Sequence, residues 1–116
     1  MDFRNLDEDS ISEAYQMLSE TDRKHGQLSG HVEYLKEGMK QAKAHVFLQS
    51  DGTVAERQEK AIASVLYDDA VKLYIEAYTE FKILDNERNT TARILDMFQT
   101  LSANRRKGML WLIIHF

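Results

Sequence analysis

Residues 11–46, ISEAYQMLSETDRKHGQLSGHVEYLKEGMKQAKAHV, carry Ile11, Ala14, Leu18, Thr21, His25, Leu28, Val32, Leu35, Met39, Ala42 and Val46 at alternating spacings of three and four. Spacing of that kind places all eleven side chains on one stripe of an α-helix and excludes a strand, whose faces repeat every two residues. A second series follows the same rule: Ala63, Tyr67, Ala70, Tyr74, Ala77, Phe81, Leu84, Arg88, Thr91, Leu95, Phe98 and Ser102. Two long helices of matching length are therefore expected, over residues 8–48 and 65–105.

Between them stand Ser50-Asp51-Gly52-Thr53 and then Val54-Ala55-Glu56. Asp-Gly is a turn signal, and Thr53 with Glu56 has the spacing of a capping box. A short helix over 54–63 should follow, with Ser64 capping the next one. The predicted fold class is all-α: a long antiparallel hairpin, coiled-coil-like, with a short connecting helix and a tendency to assemble into a bundle. Core layers should pair residues whose numbers add to roughly 109–116, one heptad being the ambiguity. Residues 1–108 then form a single domain, and the apolar run Met109-Leu110-Trp111-Leu112-Ile113-Ile114-His115-Phe116 forms a tail.

Composition fits this picture. The 116 residues hold no proline and 5 glycines, too little punctuation for an all-β chain. With 19 acidic and 15 basic side chains the net charge is −4, which names no partner by itself. There is no cysteine, so neither disulfide nor thiolate chemistry is available. The opening MDFRNLDEDS has no basic and apolar leader pattern, and the run near the C-terminus is far shorter than the roughly 20 residues that span a bilayer. The expectation is a cytoplasmic protein with no membrane association.

Four polar residues interrupt the two seams: Thr21 and His25 on the first helix, Arg88 and Thr91 on the second. In either register they fall in adjacent layers, which supports a hairpin over a parallel dimer. One reading is a buried polar layer that fixes register. The other is a small site in which His25 and Arg88 hold a carboxylate or phosphate. His25, His31, His45 and His115 form no ligand motif, so no metal is expected, and no cofactor or catalytic residue is assigned.

Leu66, Leu73, Ile94 and Leu101 recur at multiples of seven on one flank of the second helix. A two-helix hairpin cannot cover them, so they are expected, with Trp111, to form a homo-oligomer interface. Lys36, Lys40 and Lys43 make a basic stripe on the first helix, and Arg105-Arg106-Lys107 sit near the end of the second. Their ordinary reading is a solvated face and a complement to the helix dipole; their functional reading is weak contact with nucleic-acid phosphates. The aromatics near the stripe in sequence are Tyr34 and Phe47, too sparse for a stacking platform.

The run Ser50-Asp51-Gly52-Thr53-Val54-Ala55-Glu56-Arg57 with Lys60-Ala61, then Ser64 and Tyr67, and finally Ser102-Ala103-Asn104-Arg105-Arg106, resembles a group of small helical proteins encoded by tailed phages and prophages. These tend to sit among genes for single-strand annealing, single-strand binding and other recombination functions. The resemblance covers roughly residues 40–107 and does not extend to the apolar tail. It implies a non-enzymatic phage accessory protein that acts through contacts with a phage or host DNA-metabolism protein in recombination or replication. Two alternatives stand beside it. One is an inhibitor of a host nuclease or immune system; the other is a single-stranded DNA-binding mediator using Lys36, Lys40, Lys43, Arg105 and Arg106.

Overall fold

The structure, a computed structural model, describes residues 7–115, the side chains of residues 111, 113 and 115 apart. Every regular element among these residues is helical: α1 (Glu8–Gln49), α2 (Val54–Ile62) and α3 (Val65–His115). The chain is a helical hairpin with a short connecting helix. Its packing divides into two units, one from Arg23–Leu84 and one from the described parts of Met1–Asp22 and Asp85–Phe116.

The first unit contains the turn. Ser50 closes α1 by donating its hydroxyl to the carbonyl of Val46 at 2.6 Å, and Gly52 takes the left-handed φ of 119° that glycine adopts without strain. Thr53 then caps α2, its Oγ1 accepting from the Glu56 N–H at 3.2 Å. Ser64 does the same for α3, accepting from the Tyr67 N–H at 3.2 Å. Two basic side chains tie α2 back to the end of α1: Arg57 Nε donates to the Phe47 carbonyl at 3.0 Å, and Lys60 Nζ to that of Asp51 at 2.7 Å. Val32, Ala61, Ala77 and Leu84 are buried, so α2 contributes one small residue, Ala61, to a core otherwise drawn from the two long helices.

In the second unit α1 starts on Asp7, whose carboxylate accepts from the Ser10 N–H at 2.7 Å. Ile11, Ala14 and Leu95 form the buried cluster, with Leu18 and Phe98 packed against it. Ala14 shares that cluster with Leu95, and Thr21 bonds to Arg88; both pairs fit the lower expected register, with numbers adding to 109. In this register Glu8 stands level with Leu101, so residues 102–115 of α3 run on past the first residue of α1.

That extension corrects one expectation. The second long helix does not stop near residue 105, and residues 109–115 continue α3 instead of forming a separate tail. A lone glycine such as Gly108 costs a helix only about 1 kcal/mol relative to alanine, and no proline follows to end it. Arg105, Arg106 and Lys107 consequently lie inside the helix, more than a turn from its end, where the dipole has little hold on them.

Candidate functional site

Arg88 organises the polar layer. Its Nη1 donates to the Leu18 carbonyl at 2.8 Å and to the Thr21 hydroxyl oxygen at 2.7 Å, while Nη2 lies 3.2 Å from the Asp22 carboxylate. Thr21 in turn donates its hydroxyl to the Met17 carbonyl at 2.7 Å. Both terminal guanidinium nitrogens are thus engaged by α1, which leaves little of the bidentate fork for an incoming anion. The Arg88 side chain is 17% exposed and that of Asp22 79%, so the layer is half-buried at the edge of the seam. The long arginine stem carries its charge out of the seam to a solvated carboxylate.

Thr91 returns its hydroxyl to the Glu87 carbonyl of its own helix at 2.9 Å. It lines a groove of about 510 Å³ with Met17, Asn86, Glu87, Thr90 and Ile94. His25 belongs to the other packing unit, its ring centroid 5.2 Å from that of Phe81. His31 lines a groove with Leu35, Leu73, Glu76, Ala77 and Glu80. Among the described residues no group of three His, Asp or Glu side chains is placed to hold a metal ion.

The apolar flank divides. Leu66, Leu73 and Leu101 are exposed, Leu73 by 55% and Leu101 by 44%. Ile94 is 2% exposed and is the largest fully buried side chain of the chain's described part, so it belongs to the core and not to an open interface. The reason lies in helix geometry: a straight α-helix turns about 20° per heptad away from a strict seven-residue repeat. Four heptads separate Leu66 from Ile94, enough to carry a flanking position round to the seam. Leu101 comes round further but stands level with the first residue of α1, where cover is running out. Met109, Leu110, Leu112 and Ile114 are exposed beyond it. The side chain of Trp111 lies outside the described residues.

The lysine stripe gains a neighbour that sequence proximity did not suggest. Lys36, Lys40 and Lys43 share one surface groove with Met39 and with Tyr67, which arrives from the first turns of α3. A second groove uses Lys40 and Lys43 again, with Ala44, Phe47 and Gln58. The seam spacing held the signal, since Tyr67 is the second member of the α3 series and Met39 a late member of the α1 series; pairing them needed the register. Arg105 and Arg106 are exposed on α3 in the other unit.

Set against protein-family models, curated proteins and solved structures, the chain matches none. Its chemistry has to be argued from its own surface. No helix among the described residues is long and apolar enough to cross a membrane.

Proposed function

We propose that this chain is a non-enzymatic phage accessory protein that works by protein–protein contact in DNA recombination or replication, as a homo-oligomer in a bacterial cytoplasm. The observation that carries this reading is the set of large apolar side chains that α3 leaves exposed, including Leu66, Leu73, Leu101, Met109, Leu110 and Leu112. Open apolar area on that scale marks surfaces that bury themselves on association. A helix apolar on all sides, as residues 109–114 are, calls for more than one neighbour.

The phage assignment rests on the resemblance, and the residues that carry it serve the fold: Gly52 and Thr53 make the turn, Arg57 and Lys60 lock α2 to α1, and Ser64 caps α3. They argue for shared architecture, and the partner must be found by experiment. Affinity capture from phage-carrying cells, comparing wild type with a Leu73→Glu, Leu101→Glu variant, tests the proposal. Recovery of a DNA-metabolism protein by wild type alone supports it. Recovery of a host nuclease or immune effector in its place would establish the inhibitor reading.

A further inference from the structure

Two grooves flank the lysine stripe and share Lys40 and Lys43 in their linings, one of about 310 Å³ and one of about 200 Å³. Their floor is apolar: Ala44 and Phe47 in one, Met39 and Tyr67 in the other, with the lysine stems along the rim. Lys40 is neutralised by Glu37 at 3.1 Å. Among the described residues no carboxylate is paired with Lys36 or Lys43, so this rim carries two uncompensated positive charges in a chain of net charge −4.

We infer that the groove of Lys36, Met39, Lys43 and Tyr67 docks an acidic segment of a partner protein, an apolar side chain resting on Met39 and Tyr67 and carboxylates meeting Lys36 and Lys43. The inference rests on the protein-contact reading above and names the chemistry of the partner. Seven residues of helix separate the two lysines, about 10 Å. An extended peptide covers that distance in about three residue steps, so two acidic positions with two residues between them, one of these apolar, match the spacing. A nucleic-acid strand fits less well. Single-strand binding uses a run of cations along the backbone and open aromatic faces. Here one face of Phe47 is taken by the Arg57 guanidinium, 4.3 Å from the ring centroid, and Lys40 is already paired.

The test is fluorescence anisotropy with a labelled peptide Ser-Asp-Asp-Phe-Asp-Asp-Ser, a control in which Asn replaces Asp, and an oligo(dT) of about fifteen nucleotides, near the upper site size of single-strand binding folds. Lys36 and Lys43 are exposed, so the Lys36→Gln, Lys43→Gln variant should keep the helical circular dichroism of the wild type. The expected result is saturable binding of the acidic peptide, at least tenfold weaker in that variant, and no binding of the Asn control. Undiminished binding in the variant, or none by the wild type, overturns the inference. Tight oligo(dT) binding that displaces the peptide and is lost in the same variant overturns it in favour of a phosphate backbone. Should the peptide fail while Leu73→Glu with Leu101→Glu still abolishes capture of a DNA-metabolism protein, the groove assignment falls and the protein-contact reading stands.

Discussion

Arg88 Nη1 lies 2.7 Å from the Thr21 hydroxyl oxygen, and this bond joins α3 to α1 at the level that sets their register. Because the same guanidinium also holds the Leu18 carbonyl, the pair acts as a positional latch in a seam otherwise filled by apolar side chains. Arg88→Leu should leave thermal stability unchanged or higher, since apolar replacements of partly buried ion pairs are often neutral to stabilising. Asp22→Asn should change it by less than about 0.5 kcal/mol, as expected for an exposed partner. Thermal melts at low and high salt decide the matter; a large loss with Asp22→Asn would show that the ion pair outweighs the uncharged bonds.

Ile94 and Leu73 make a paired test of where the core ends. Ile94→Ala deletes a fully buried side chain and should cost roughly 2–4 kcal/mol, whereas Leu73→Ala removes one that is more than half exposed and should cost less than about 1 kcal/mol. Denaturant unfolding of both variants gives the comparison. Equal losses would mean that Leu73 is covered in solution by another protomer.

Self-association has its own readout. If the open flank joins protomers, light scattering at micromolar concentration gives a mass above the 13.5 kDa of one chain, and Leu73→Glu with Leu101→Glu lowers it while helical content survives. A wild-type mass equal to one chain would remove the homo-oligomer from the proposal.

The two seams and the Asp-Gly turn were legible because a helix-period pattern and a cap are local properties, set within a few residues. Ile94 lies in the core and not on the flank because a strict seven-residue count ignores the rotation that accumulates over several heptads. The grouping of Tyr67 with Lys36, Lys40 and Lys43 depends on register, which local pattern leaves ambiguous by one heptad. The run of α3 through Gly108 shows that an isolated glycine punctuates weakly when nothing else ends the helix.

Asp7 gives a pH prediction. Ser10 donates to its carboxylate, chiefly through the backbone N–H, and this holds the Asp7 carboxyl below its ordinary 3.8. A group depressed in the folded state contributes stability that is present above its unfolded pKa and lost as pH falls through the folded value. The first turn of α1 should therefore fray below about pH 3.8, seen as loss of protection at the Ser10 amide by NMR, with α2 and its uncharged Thr53 cap unaffected in the same range. Lys72 behaves oppositely: Asp68, 2.8 Å away, raises it, so that contribution disappears only at pH above 10.5. Persistence of Ser10 protection at pH 2 would show that Asp7 does not act as a charged cap.

The glycines within α1 offer the last test, because they separate a structural cost from a functional need. Gly26, Gly30 and Gly38 all lie in the helix, and a Cβ added at any of them meets nothing within 4 Å. Gly52 differs: its φ is 119°, a backbone conformation that side-chain-bearing residues rarely adopt, so Gly52→Ala should destabilise the turn. In an open helical position glycine is worse than alanine by roughly 0.5–1 kcal/mol, mainly through the backbone freedom it retains when unfolded. Gly26→Ala, Gly30→Ala and Gly38→Ala combined should therefore raise the melting temperature by several degrees. If the stabilised variant still captures its partner in cells, the glycines were only a cost. If it folds better and captures nothing, that face of α1 is approached closely by another molecule, and the partner's footprint must include it.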